Sequence, residues 1–123
     1  MVDHPWVSVV DDDESVRESL PDLLSELGFA SRAFASAAEF LQSDLLHQTR
    51  CLILDVAMPG MSGPELQREL LQRGMNIPII FITAQGDEKV RAVVLANGAV
   101  AYLLKPFTEA ELRCALAAAL GTK

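Results

Sequence analysis

The chain has 123 residues, half of them hydrophobic, with a formal net charge of −7 at pH 7. That length suits one domain able to bury a core without staples, and the apolar content excludes a disordered chain. The acidic balance excludes nonspecific affinity for nucleic acid or an anionic membrane, no apolar run reaches transmembrane length and no signal peptide precedes Trp6, so a soluble cytoplasmic protein without a membrane anchor is expected.

The first apolar run, residues 6–10, reads as a strand and is followed at once by Asp11-Asp12-Asp13. A helix follows from about Glu14 to Leu27, with Val16, Leu20, Leu23, Leu24 and Leu27 at helical spacing and Gly28 as its stop. Pro21 inside it removes one amide, which predicts a local kink. A short strand is read at 29–34, then a helix capped by Ser36 with Glu39 completing a capping box. Strand three is 51–54, ending just before Asp55. The loop 55–62 leads to a helix that starts near Pro64 and stops at Gly74. Strand four is 78–82, ending before Thr83. A fourth helix covers about 87–97, and strand five covers 99–104, ending before Lys105-Pro106. Thr108 and Glu111 form the capping box of a fifth helix.

Strands and helices alternating five times mean an α/β fold: a five-stranded parallel sheet with five helices on its two faces. Right-handed crossovers and short loops leave few topologies. The doubly wound order 2-1-3-4-5, flavodoxin-like, is expected. In such sheets ligands bind outside the carboxyl ends of the strands. Four strand ends here deliver Asp11 and Asp12, Asp55, Thr83 and Lys105. Clustered carboxylates repel and need a counterion. Mg²⁺ fits, because it takes oxygen ligands and keeps several waters. A carboxylate such as Asp55 can also act as a nucleophile that forms an acyl phosphate. The Thr83 hydroxyl and the Lys105 ammonium beside it make an anion clamp. Tyr102 on its own reads as half-buried sheet packing. Cys51 and Cys114 read as small buried hydrophobes without a redox role. On the fourth helix, Val90, Val94 and Leu95 are expected to face the sheet. Ala92, Val93 and Ala96 then face solvent, with Ala101 on the neighbouring edge strand, as an apolar patch for a partner.

Four segments taken together, Val9-Val10-Asp11-Asp12-Asp13, Leu54 to Gly63, Ile82-Thr83-Ala84 and Leu104-Lys105-Pro106-Phe107, resemble the receiver domain of two-component response regulators. Residues 14–20 and 58–66 resemble the FixJ/NarL-like branch, whose members usually carry a helix-turn-helix output domain. The resemblance implies that residues 1–123 are a single receiver, a signalling switch that catalyses only its own phosphotransfer and dephosphorylation. It implies Asp55 as phosphoacceptor, Asp11, Asp12, Asp55 and the backbone carbonyl of Ala57 as Mg²⁺ ligands, Thr83 and Lys105 as phosphoryl-binding groups, and Tyr102 as a switch residue coupled to Thr83. The implied partners are a sensor histidine kinase or phosphotransfer protein, and a second copy through helix four and strand five. DNA would be met only through an output domain beyond residue 123, which would control transcription.

Three other readings compete. A phosphohydrolase with an aspartyl-phosphate intermediate needs an acid two residues after the nucleophile, where this chain has Ala57. A flavin carrier needs a Ser/Thr/Gly-rich phosphate loop after strand one, where Asp11-Asp12-Asp13-Glu14 would repel phosphate. A Mg²⁺-binding module that is never phosphorylated is separated from the favoured reading by a small phosphodonor.

Overall fold

The structure, a computed structural model, describes residues 6–121. The expectation about a leader before Trp6 lies outside the described residues. Five parallel strands, β1 (Trp6–Val10), β2 (Ala30–Phe34), β3 (Cys51–Asp55), β4 (Ile79–Thr83) and β5 (Ala101–Leu104), form one sheet in the order β2-β1-β3-β4-β5. The connecting helices are α1 (Glu14–Glu26), α2 (Ala37–Leu41), α3 (Gly63–Gln72), α4 (Glu88–Ala96) and α5 (Glu109–Leu120), with a 3-10 turn at Leu46–Gln48. This is the doubly wound, flavodoxin-like arrangement expected.

Alternation along the strands divides the core in two. Val7, Val9, Cys51, Ile53, Ile80 and Ile82 point to one face, under Leu20 and Leu24 of α1 and Leu112 and Leu116 of α5. Val10, Leu52, Leu54 and Phe81 point to the other, under Phe40 of α2, Leu66 and Leu70 of α3 and Val94 of α4. Both faces of β3 and β4 are covered, so every residue of these two strands is buried, as the continuous apolar runs require. Each fully buried Leu or Ile contributes about 1.5–3 kcal/mol. The helix α4 has Val94 as its one fully buried residue, with Val90 and Leu95 half-buried, and is the least firmly seated of the long helices. Its register is the expected one, with Ala92, Val93 and Ala96 exposed, but Ala101, expected to join that patch, is half-buried and packs with the α1/α5 core instead.

Several local expectations shift. The strands β3 and β4 run one residue further than read, so Asp55 and Thr83 are themselves strand residues, paired in register with Ile82 and Leu104. The strand β5 starts at Ala101 instead of residue 99, because the Ala99 amide donates to Val94 O and is spent on closing α4. Helix α1 continues through Pro21 without a break. The Ser36 hydroxyl caps α2 as expected, but the Glu39 carboxylate accepts from Ala35 N, so the box closes one residue early. The complete boxes are Ser62–Glu65 on α3, which the sequence reading did not name, and Thr108–Glu111 on α5. Cys51 is buried, but Cys114 is exposed, a correction to the reading above. Leu112, Ala115 and Leu116 make the inward stripe of α5, and position 114 falls outside it; a helix this rich in Ala and Leu hides that distinction in its composition.

Candidate functional site

The carboxyl ends of β1, β3, β4 and β5 surround an open cleft of about 470 Å³, lined among others by Asp12, Asp13, Asp55, Ala57, Thr83, Gln85, Asp87 and Lys105. The turn after β1 is built around Asp11, which is fully buried. One of its carboxylate oxygens accepts from Asp13 N at 2.9 Å, and the other takes the Lys105 ammonium at 2.9 Å. Lys105 stands 3.8 Å from Asp55, so the ammonium bridges two carboxylates and leans toward Asp11. The pairing of β4 with β5 carries one bond past Leu104, from Lys105 N to Thr83 O at 2.8 Å, and that bond holds the lysine at the rim.

Ligand oxygens of Asp11, Asp12 and Asp55 lie within 4.8 Å of one another. Burial and the Asp11 charge push the Asp55 carboxyl up from 3.8 to about 7, against the opposing pull of Lys105. Burial draws the Lys105 ammonium down, but the hydrogen bond and charge of Asp11 outweigh it and hold the group above its ordinary value. One ammonium therefore leaves the three carboxylates short of positive charge. An all-oxygen donor set with surplus negative charge fits a hard divalent cation such as Mg²⁺. Asp11, Asp12 and Asp55 would hold it, with Ala57 lining the same cleft.

Thr83 is buried at the end of β4, and its hydroxyl is occupied within its own loop. It donates to Gln85 O at 3.0 Å and accepts from Gln85 N at 3.2 Å. Tyr102 is half-buried on β5 and packs against the α2/α3/α4 core; its phenol oxygen accepts from Asp87 N at 3.2 Å. Tyr102 thus touches the N-cap of α4 and does not line the cleft. Two capping roles at the cleft went unread in the sequence: Asp13, read only as part of the acidic run, caps α1, and Asp87 caps α4 by accepting from Lys89 N and Val90 N. An Asp just ahead of each helix was the available signal.

The comparisons with known proteins bear on this constellation directly. Residues 7–117 match the model of the response regulator receiver domain family. The chain belongs to that family. This receiver is 47% identical over 113 residues to Nodulation protein W of Bradyrhizobium diazoefficiens, covering 92% of this chain and 50% of that protein. It is 42% identical over 115 residues to the transcriptional regulatory protein FixJ of Azorhizobium caulinodans, covering 94% of this chain and 54% of that one. The crystal structure of FixJ-N superposes with a TM-score of 0.85 at 38% identity, over 100% of this chain and 98% of that one. The FixJ/NarL-like branch read from the sequence agrees with these relatives. The receiver spans about half the length of the curated relatives it matches. Among the described residues no helix is long and apolar enough to cross a membrane.

The raised Asp55 pKa makes the metal-free receiver's stability depend on pH. Between about 4 and 7 the folded state keeps a proton that the unfolded chain has released, so stability falls as pH rises through that window. In EDTA the receiver is expected to melt higher at pH 5.5 than at pH 8, by roughly 3–8 °C for a loss of about 1–2 kcal/mol. Millimolar Mg²⁺ is expected to raise the melting temperature more at pH 8 than at pH 5.5. Calorimetry at the two pH values checks both; an Asp12→Ala variant with an undiminished Mg²⁺ shift would contradict the site.

Proposed function

We propose that this receiver takes a phosphoryl group on Asp55 and uses it to switch the surface formed by α4 and β5. The observation that carries the reading is the Lys105 ammonium, 2.9 Å from Asp11 and 3.8 Å from Asp55, beside a cluster of three carboxylates. A cation module that is never phosphorylated needs no such lysine, whereas phosphoryl transfer needs fixed positive charge where charge develops. The donor is a phosphohistidine on a sensor histidine kinase or phosphotransfer protein. A carboxylate oxygen of Asp55 attacks phosphorus, the O–P bond forms as the N–P bond breaks, and the imidazole leaves. Bound Mg²⁺ would supply neutralisation of the phosphoryl oxygens. Lys105 and Thr83 bind those oxygens. No acid stands at Ala57 to turn over external substrates, so the chain is a switch acting on itself.

The signal leaves through Thr83. Its hydroxyl must give up Gln85 to reach a phosphoryl oxygen, which moves the 84–86 loop. That loop lies against Leu104, whose Cδ2 would be 3.0 Å from a Cβ at Gly86. The Tyr102 hydroxyl ties the next residue in line, Asp87, to β5. A shift of the loop therefore biases the seating of α4, a two-state element that the phosphoryl group selects. Val93 at 48% exposed and Leu104 at 52% present apolar surface on this side of the receiver. A two-fold symmetric dimer through α4 and β5 is the output. Residues 1–123 form the receiver of a cytoplasmic regulator whose DNA-binding output domain follows residue 123. The name of the FixJ relative as a transcriptional regulatory protein, and the match to only about half of each relative's length, support that part.

Sedimentation velocity tests the switch. With acetyl phosphate and Mg²⁺, the wild type is expected to shift from monomer to dimer. Val93→Glu is expected to stay monomeric, and Thr83→Ala to be labelled yet to dimerise at least about tenfold more weakly, a coupling of 1.4 kcal/mol or more. A fully labelled wild type that stays monomeric, or a Thr83→Ala variant that dimerises as well as wild type at equal labelling, rules the coupling out.

A further inference from the structure

Arg17 stands where helix electrostatics disfavour it. It is four residues into α1, in the region where the helix dipole repels a cation. Long helical side chains lean back toward the N-terminus, and this one does: its Nη1 donates to the backbone carbonyl of Asp11 at 3.0 Å. The Arg17 amide also donates to Asp13 O at 3.1 Å, so one residue grips both ends of the acidic turn. The same turn is also held by Asp11 N donating to Phe34 O, Asp13 N donating to the Asp11 carboxylate, Lys105 Nζ donating to that carboxylate and Ser15 N donating to the Asp13 carboxylate. Asp12 is exposed, and its carboxylate lies within 4.8 Å of those of Asp11 and Asp55. Asp12 follows directly on the Asp11 carbonyl, and Arg17 is the side chain that donates to that carbonyl.

We infer that Arg17 is a positioning residue for the cation site, keeping the Asp11–Asp12–Asp13 turn in its metal-ready shape while three carboxylates repel one another. This rests on the reading of Asp11 and Asp12 as cation ligands. Two effects of Arg17 oppose each other. Its charge repels a divalent cation, so removing it would tighten binding. Its hydrogen bond orders a ligand-bearing peptide, and losing such a bond typically costs 10–100-fold in metal affinity. The partial solvent exposure of Arg17 screens the charge, whereas the hydrogen bond acts on the ligand's own backbone. The positioning effect is expected to win.

The test is an amide-detected NMR titration with Mg²⁺ of wild type, Arg17→Met and Arg17→Lys, with melting curves in EDTA beside it. Arg17→Met is expected to raise the Mg²⁺ Kd on the order of tenfold. Arg17→Lys keeps the charge but lacks the planar fork, and is expected to bind Mg²⁺ several-fold more weakly than wild type. Melting temperatures in EDTA are expected to fall too little to explain either change, which a purely structural arginine would not produce. Tighter Mg²⁺ binding by Arg17→Met, or a Kd equal to wild type in either variant, overturns the inference and leaves the site reading intact. If Arg17→Met does not fold, Arg17→Lys decides by the same Kd comparison. A wild type with no saturable Mg²⁺ response overturns the site reading and this inference with it.

Discussion

Asp55→Asn is expected to take up no phosphoryl group from acetyl phosphate and Mg²⁺, while the wild type gains one, read by intact-protein mass spectrometry. An amide has no carboxylate oxygen to offer phosphorus, so the loss is complete and not a matter of degree. The variant also separates chemistry from folding. In the wild type the Asp55 carboxyl is pushed up to about 7 by burial and by Asp11, so its ionised form strains the native state at neutral pH. Asn removes that strain and keeps the shape. Metal-free Asp55→Asn is therefore expected to melt at or above the wild type at pH 8, by up to about 1–2 kcal/mol. A well-folded variant that cannot be labelled identifies Asp55 as the acceptor. A variant labelled as fully as the wild type would move the acceptor elsewhere, with Asp12 the next candidate.

Gly63→Ala is expected to be the most damaging small substitution near the site. At an ordinary helix start an added methyl is tolerated or mildly favourable. Here a Cβ at position 63 would overlap the backbone carbonyl of Asp55 and lie 3.1 Å from the Phe81 ring. Neither neighbour can yield easily, since Asp55 is the last residue of a central strand and Phe81 is fully buried. The Gly63 amide is meanwhile held by Val56 O at 2.9 Å, which brings the start of α3 against the end of β3. The overlap is expected to cost about 1–3 kcal/mol, a fall of roughly 4–10 °C in melting temperature. It should also displace Asp55, so labelling by acetyl phosphate slows even below the melting transition. A Gly63→Ala variant that melts and labels like the wild type would show that α3 can back away from Asp55 at no cost.

Much of this receiver was legible in the sequence because its signals are local. Apolar runs of strand length separated by helical spacing gave the five-fold alternation. Polar residues directly after those runs marked one rim of the sheet, and Asp11, Asp12, Asp55, Thr83 and Lys105 all reach it. The outward face of α4 followed from its period. The misplacements are also local in origin. A strand ends where its pairing ends, and the partner that carries pairing out to Thr83 and Lys105 is not in the same stretch of chain. Cys114 was taken for a buried residue because α5 is apolar nearly all round, and composition does not say which stripe meets the sheet.

Tertiary structure alone decided how the site residues divide their partners. Lys105 was read as one half of an anion clamp with Thr83; it stands 3.8 Å from Asp55 and also binds Asp11, 94 positions earlier, at the shorter distance of 2.9 Å. That choice depends on how the β1 and β5 ends sit across the sheet, with β3 and β4 between them. Tyr102 turned out to bond the cap of α4, and Thr83 to be engaged by Gln85, because loop backbone amides and carbonyls that no residue type announces come within reach of them. Arg17 had no role in the sequence reading, and only the fold brings the Asp11 carbonyl within hydrogen-bond reach of it. Sequence periodicity encodes which side chains leave water; which polar group meets which is fixed by the backbone positions of strands far apart in the chain.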